Sequence, residues 1–358
     1  MLLQRLAVSF GFHGPVLLWV ESYLSGRSQF VCIDNFHSSP LPLDSGVPQG
    51  SVLGPLLFSL YTAPVSRIFS HFCVNFQQYA DDILAYTPVD SSASPEISNL
   101  EACLSCLCTW LSLNYLVVNP DKSEAILFGS GKRLATLSDM KSVLVAGSPV
   151  TLSSSIKVLG VFLDNTLSMN CQIASVCKAA SFHTRALSHI RSSLNTKVAN
   201  SIACALVHSR FDYCNSLYPS LSTSNLNKLR RAQNRVAKVV YNRNCSSSSG
   251  NLTKLHWLPI DARIRYKTVS LTHKILHTGS PLYLATLLKP CAPVRVLRSA
   301  QSKVLEVPRI RSVAGSFAFA HYAPVVWNSI PLSVREPTAV TFHCALKSHL
   351  FLKAFPVG

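Results

Sequence analysis

The sequence predicts an α+β fold, and three observations carry that prediction. Short β-rich runs are separated by Asp/Gly turns, too tight for the crossover helices of a parallel sheet. Stretches with helical periodicity lie between those runs. From about residue 168 the pattern changes to helices and irregular links.

Taken in order, residues 2–9 and 14–25 read as helices, with Pro15 suited to a first turn and Trp19, Tyr23 and Leu24 on one face. Residues 28–34 read as one strand, 44–50 as a Gly/Pro loop, and 55–69 as a helix. Two β-rich runs, 73–79 and 82–87, flank Ala80-Asp81-Asp82 as a hairpin. Pro95 opens a long helix to about residue 115. A strand is expected at 124–128, and 142–150 with 156–163 as a further hairpin around Gly147-Ser148. Helices follow at 196–208, 224–241, 260–276, 281–288, 316–323 and 338–353, with a Ser-rich linker at 244–250 and a basic irregular stretch at 291–315.

Composition bounds the classes. The 358 residues are 48% apolar and 14% charged, which excludes an intrinsically disordered chain and leaves one large domain or two smaller ones. Residues 1–130 carry net −6 and the remainder net +23, making +17 in all, so the basic part is the one to hold a polyanion. The 12 Cys follow no disulfide spacing and read as free thiols of a reducing compartment. Cys103, Cys106 and Cys108 read as core positions of an apolar helix, since no nearby His or Cys pair completes a zinc site. The N-terminal segment lacks a secretion-signal pattern, and no apolar run reaches the ~18 residues of a membrane span. A cytoplasmic or nuclear protein with no membrane partner is expected.

Two features of the acidic third carry chemistry. Tyr79-Ala80-Asp81-Asp82 brings two like charges together at a turn, a repulsion that a divalent cation relieves. Paired carboxylates of this kind serve two-metal phosphoryl transfer, although Asp-Asp is also an ordinary solvated turn. The second feature is 45–56, in which Gly46, Gly50 and Gly54 permit close backbone approach and Gln49 offers both a donor and an acceptor. A helix follows whose N-terminus could face phosphate, and the alternative is a plain turn before a helix.

In this order and spacing the sequence resembles the reverse transcriptases of non-long-terminal-repeat retrotransposons of the chicken-repeat or jockey-like kind. Gly46–Pro55 is similar to their template- and nucleotide-contacting loop, so the resemblance implies contacts from Pro48, Gln49 and Gly50. Tyr79–Asp82 resembles their metal-binding turn, which implies Asp81 and Asp82 as ligands of Mg²⁺ or Mn²⁺ and Tyr79 beside the nucleotide. Asn119–Glu124 is similar to the next palm segment, with Lys122 near the triphosphate. Lys157–Asp164 resembles the hairpin that supports the primer end, with Leu159 and Gly160 at its turn. Segments 255–259 and 323–328 resemble the tail of such elements, without assigned chemistry.

The resemblance implies a partial right-hand polymerase palm over 1–165, a helical thumb-like region over 166–243 and a basic element-specific region over 244–358. It implies an RNA template, a DNA primer or RNA–DNA duplex, and a deoxynucleoside triphosphate as partners. The family's further metal-binding aspartate lies upstream of the Gly-rich loop, but no Asp precedes Asp34, which sits on the strand leading to that loop. The expectation is therefore an N-terminally truncated domain, with metal held only if the missing ligand is supplied and little activity alone. A non-catalytic nucleic-acid-binding protein derived from such an element is the alternative, and a decayed reading frame without a stable fold is a third.

In the basic part, Lys228, Arg231, Arg235 and Lys238 are spaced 3, 4 and 3, so one helical face carries all four while Leu226, Leu229, Val236 and Val240 take the other. Such a ridge could track a phosphate backbone, or be a solvated face. Arg295, Arg298, Lys303, Arg309 and Arg311 form a second cationic stretch. Trp257 and Trp327 are expected to anchor hydrophobic clusters, with His256 packed rather than ligating.

Overall fold

Helices and two-stranded hairpins alternate in the computed structural model, which describes residues 1–43, 45–47, 50–90, 95–242, 248–291, 303–336 and 339–356. The chain divides into two units, Met1–Ser153 and Ser154–Gly358.

The first unit opens with α1 (Leu2–Phe10), ended by Gly11 at φ +69°, and α2 (Gly14–Leu24), with Pro15 in its first turn. The single strand expected at 28–34 is two short pieces, β1 (Ser28–Gln29) and β2 (Cys32–Ile33). An Asp34-Asn35 turn, with Asp34 at φ +53°, reverses the chain so that β2 pairs with β3 (Phe36–His37) and β1 with β4 (Leu41–Pro42). The helix expected at 55–69 is also two, α3 (Gly54–Thr62) and α4 (Val65–His71), divided at Pro64. Then come β5 (Asn75–Tyr79), β6 (Asp82–Tyr86) and α5 (Pro95–Leu113). No strand forms at 124–128: Ala125 makes one isolated bridge to Leu152, and the unexpected α6 (Gly131–Thr136) follows, capped by the Ser130 hydroxyl. β7 (Ser142–Val145) and β8 (Ser148–Thr151) pair around Ala146 and Gly147, at φ 51° and 76°.

Two small cores hold this unit. Leu6, Val20 and Leu57 form one. In the other, Cys103, Leu107 and Leu111, four residues apart on α5, meet Val65, Phe69 and Val74. Phe69 stacks on Phe76 of β5 at 4.5 Å, which seats the hairpin. Of the three α5 cysteines only Cys103 is core. Cys106 is exposed and Cys108 half-buried, because the apolar stripe passes through 103 and 107. Burial pushes the Cys103 thiol up to about 11.

The second unit starts with β9 (Ser155–Val158) and β10 (Val161–Asp164), a hairpin of their own, so 142–150 and 156–163 belong to two hairpins and do not pair. Helices follow: α7 (Asn170–Ile190), α8 (Thr196–Ala203) continued by a π-helical turn at Cys204–His208, α9 (Ser209–Asp212) and α10 (Thr223–Tyr241). Residues 244–247 of the expected linker lie outside the described residues, and α11 (Ser248–Lys254) occupies its end. Next are α12 (Ile260–Thr278), a short α13 (Leu282–Ala285), α14 (Val313–Ser316), α15 (Phe319–Asn328), α16 (Leu332–Arg335) and α17 (Ala339–Ala354).

Apolar faces of α7, α8 and α10 make one core with Trp257, and Val269, Trp327, Phe342 and Leu346 centre another. The α7 entry is organised by buried Asp164, whose carboxylate accepts from the Ser168 amide (2.8 Å) and the Thr166 hydroxyl (2.9 Å). Burial works to raise the Asp164 pKa, but these hydrogen bonds leave it below its ordinary value. Sheets among the described residues are all two-stranded and antiparallel, so the chain is α+β, built from separate hairpins. No described helix is long and apolar enough to cross a membrane.

Candidate functional site

The aspartate pair sits on the two-residue turn of β5–β6. Tyr79 pairs with Asp82 across the turn, leaving Ala80, at φ +54°, and Asp81 as its central residues. A positive φ at the first central position matches the twist of the flanking strands and makes a tight reversal. Alternation then sorts the strands. Phe76, Gln78, Ile83 and Ala85 face inward, while Tyr79, Asp82, Leu84 and Tyr86 are exposed, Tyr79 at 69%. Asp81 is exposed as well.

Sequence reasoning missed what steadies this turn. Gln78 donates to the hydroxyl of buried Thr62 on α3 (2.7 Å) and to the Ala80 carbonyl (3.2 Å). The signal was a polar side chain at an inward position of an alternating strand. Arg5 was also unremarked. It donates to the Tyr61 carbonyl and the Asn114 side chain, with its guanidinium over the Tyr61 ring (4.4 Å) and the Trp110 ring (5.1 Å), so it ties α1, α3 and α5 together.

In the Gly-rich loop, Gly46 and Gly50 take φ +83° and +79°, a region that favours glycine. The Ser51 hydroxyl accepts from the Gly54 amide (3.1 Å) where α3 begins, and Val47 and Leu53 pack on the α1–α2 core. Pro48 and Gln49 lie outside the described residues. Lys122 is exposed at the end of a single 3₁₀ turn, Pro120–Lys122, capped by Asn119 accepting from the Asp121 amide (3.0 Å). That turn packs beside β8, whereas the Asp81–Asp82 turn is tied to α3.

The second unit holds the other expected residues. Leu159 and Gly160 form the β9–β10 turn at φ 46° and 84°. Tyr213 donates to the Leu159 carbonyl (2.5 Å), and its ring would lie at ordinary contact distance, 3.7 Å, from a β-carbon at Gly160, so it is the positive φ and not crowding that favours glycine there. On α10, Lys228, Arg231, Arg235 and Lys238 are all exposed, while Leu229, Gln233, Val236 and Val240 are buried and Leu226 is only half-buried. The neighbouring Arg230 is committed elsewhere, to a bidentate pair with Asp261 (2.9 and 2.7 Å).

The tail segments have structural work. Gln233 reaches from α10 to both sides of Pro259, donating to the Leu258 carbonyl (2.8 Å) and accepting from the Ile260 amide (3.1 Å). Trp257 is buried, its indole donating to Asn200 (2.9 Å) and its ring 4.0 Å from His208, while His256 stacks on Phe351. Asn328 accepts from the Leu305 amide (2.9 Å) and donates to its carbonyl (2.8 Å), as a neighbouring strand would. Trp327 and Arg335 both donate to the Lys303 carbonyl (3.0 and 2.9 Å). These contacts fix the end of the second cationic stretch, whose Arg295 and Arg298 lie outside the described residues, while Lys303, Arg309 and Arg311 are exposed.

Among the described residues, no three His, Cys, Asp or Glu side chains gather to hold a metal ion. A hard divalent cation takes about six oxygen ligands, so Asp81 and Asp82 supply a part of such a set and not a whole one. The eleven described cysteines are free thiols.

Residues 3–163 match the reverse transcriptase (RNA-dependent DNA polymerase) family. Over 239 residues, 64% of the chain, the sequence is 28% identical to the probable RNA-directed DNA polymerase from transposon BS of Drosophila melanogaster, covering 26% of that protein. Over 232 residues, 62% of the chain, it is 29% identical to the RNA-directed DNA polymerase from mobile element jockey of Drosophila funebris, covering 24% of it. The Drosophila melanogaster jockey polymerase is 26% identical over 238 residues, 64% of the chain and 25% of that protein. The chain thus spans about a quarter of the length of these relatives. No solved structure matches. The match over 3–163, together with relatives that extend it into the second unit, makes this chain a carrier of a reverse transcriptase domain homologous to the RNA-directed DNA polymerases of non-LTR retrotransposons.

Proposed function

We propose that the first unit is palm-derived and belongs to an RNA-directed DNA polymerase acting on an RNA template, a DNA primer and deoxynucleoside triphosphates. Reverse transcriptases generally use divalent metal ions. In this reading Asp81 and Asp82 give oxygen ligands to Mg²⁺ or Mn²⁺, with the remaining protein ligand coming from outside the described residues. Gln49 and Gly50, with Pro48 between the loop's glycines, contact template or nucleotide, and Tyr79 lies beside the nucleotide. Lys122 neutralises the departing pyrophosphate, the Leu159–Gly160 turn supports the primer end, and the α10 cations hold the nucleic-acid backbone as part of a thumb. Segments 1–165, 166–243 and 244–358 are the corresponding palm, thumb-like and element-specific parts, and the protein works in the cytoplasm or nucleus.

The observation that carries the reading is the β5–β6 turn. It presents two carboxylates to solvent from a hairpin whose inner face is packed and whose turn carbonyl is tethered through Gln78. In this reading two aspartates are fewer ligands than two metal ions need, so these 358 residues by themselves support little or no synthesis. Extension of oligo(dT) on poly(rA) tests this: background-level incorporation is expected, and robust Mg²⁺-dependent synthesis abolished by Asp81→Ala would overturn it. Mn²⁺ titration tests the metal role separately. Weak binding lost in Asp81→Ala and Asp82→Ala is expected, and binding indifferent to both removes them as ligands. The four exposed α10 cations also suit a non-catalytic binding protein, in which duplex affinity needs neither metal nor aspartates.

A further inference from the structure

A second cationic surface lies on α7, whose exposed face carries its own cations. Between Asp164 and Asp212 the sequence has five Lys or Arg and no Asp or Glu. On α7, Lys178, Phe182, Arg185 and His189 are spaced 4, 3 and 4, and all four are exposed. They fall on one helical face, opposite the buried Ile173, Val176, Ala180 and Leu187. Phe182 is 64% exposed and lines a shallow groove with Lys178, His183 and Arg210 of α9. The His183 and Phe182 rings meet nearly perpendicular at 5.3 Å, and Phe182 stays largely open to solvent. The ion pairs Arg133–Asp90, Arg230–Asp261 and Arg263–Asp212 do not involve this surface.

A lone exposed Phe is ordinary, and so is a solvated basic face. A Phe at the centre of a cationic stripe, with no acid in the surrounding 47 residues, has a narrower meaning. Single-stranded nucleic acid combines what the stripe complements, flat π-faces and regularly spaced negative charge. From Lys178 to Arg185 the helix rises only about 10 Å, so the cations reach phosphates on either side of one base on Phe182. A regular duplex keeps its bases stacked internally and offers Phe182 no free face.

We propose that the α7 face binds single-stranded nucleic acid, one unpaired base stacking on Phe182 and the flanking phosphates meeting Lys178, Arg185 and Arg210. This goes beyond the polymerase reading and does not depend on metal. Binding of a fluorescent 12-nucleotide oligo(dT) to the whole chain, in EDTA, tests it. Phe182→Ala should weaken binding roughly 5- to 150-fold, the range of one lost base–aromatic stack. It should leave affinity for an RNA–DNA duplex unchanged, since that surface is the α10 ridge. Phe182→Trp should keep the affinity and show quenching of the added indole by the oligonucleotide. Lys178→Ala with Arg185→Ala should flatten the salt dependence of oligo(dT) binding. Equal binding by wild type and Phe182→Ala would overturn the proposal, as would oligo(dT) binding abolished by the α10 alanines alone. Tighter capture of polyglutamate or of anionic phosphatidylserine vesicles than of oligo(dT) would assign the face to an acidic protein or a lipid surface and also overturn it. Since the side chain is exposed, an unchanged thermal melt should confirm that Phe182→Ala is folded.

Discussion

Replacing Gln233 by alanine should destabilise the second unit more than any single change on its cationic ridge. The side chain is 1% exposed and makes two hydrogen bonds to backbone that is itself buried, at Leu258 and Ile260. Ile260 begins α12, so its amide has no partner in the preceding turn, and Pro259 beside it has no amide at all. Truncation leaves one buried donor and one buried acceptor unsatisfied, each costing about 1–3 kcal/mol. The sum is about 2–6 kcal/mol, with the lower end applying where water enters the vacated space. At about 2–4 °C per kcal/mol for a unit of this size, the melting temperature should fall by roughly 4–24 °C. Gln233→Glu gives a second readout. A protonated carboxyl there can donate to the Leu258 carbonyl and accept from Ile260, while a carboxylate cannot donate. The folded pKa is then raised above the unfolded value, and the variant is most stable at low pH, losing stability as pH rises through the folded pKa. Urea unfolding of both variants at several pH values is the assay. A loss under about 0.5 kcal/mol in Gln233→Ala, or a pH-independent Gln233→Glu, would refute the claim that this glutamine closes the α10–α12 joint.

Two further outcomes follow from buried or strained groups. Burial, and secondarily Arg263, pushes the His208 pKa down to about 3. The unfolded chain takes up a proton below about pH 6.5 while the folded one does not, so stability should fall by about 1.4 kcal/mol per pH unit down to that lowered pKa. His208→Phe should flatten that arm in urea titrations, and an unchanged slope would assign it to other groups. At the β5–β6 turn, Ala80→Gly should relieve a positive φ that costs an alanine about 1 kcal/mol, partly offset by the entropy of an added glycine. Hydrogen exchange of the hairpin amides should slow or stay level, and faster exchange would show that the Ala80 methyl contributes packing.

The turn and the ridge were legible because each follows from local rules. Two alternating runs around two turn residues make a hairpin, and a 3-4-3 spacing of cations makes a face. The failures are where a distant partner decides. The apolar run at 124–128 looks like a strand, but only Ala125 finds a neighbour, at Leu152, so no ladder grows. The run at 28–34 is interrupted by its own Asp34-Asn35 turn, since the residues it pairs with lie just beyond it. Gln78–Thr62 and Gln233–Leu258 span 16 and 25 residues, and nothing in either local pattern indicates the partner. The cysteine triplet was misjudged as a block because burial follows the helical stripe through 103, 107 and 111, which excludes 106.

The same geometry explains how candidate chemistry can coexist with weak local structure. A two-stranded hairpin is marginal alone, and β5–β6 presents one face to water. Its stability comes from the inner face, where Phe76, Ile83 and Ala85 pack against the α4–α5 core, and from Gln78 bonding the turn to α3. Neither support involves the side chain of Asp81 or Asp82, so the packing that holds the hairpin leaves both carboxylates exposed to solvent. The α10 ridge is built alike: Leu229, Gln233 and Val236 hold the helix, and of the exposed cations Lys228 donates to buried Asn225 (3.1 Å) on the same helix. Substituting Asp81, Asp82 or the ridge cations therefore separates chemistry from folding. Substituting Gln78 or Gln233 does not, and loss of activity in either of those variants would say nothing about catalysis.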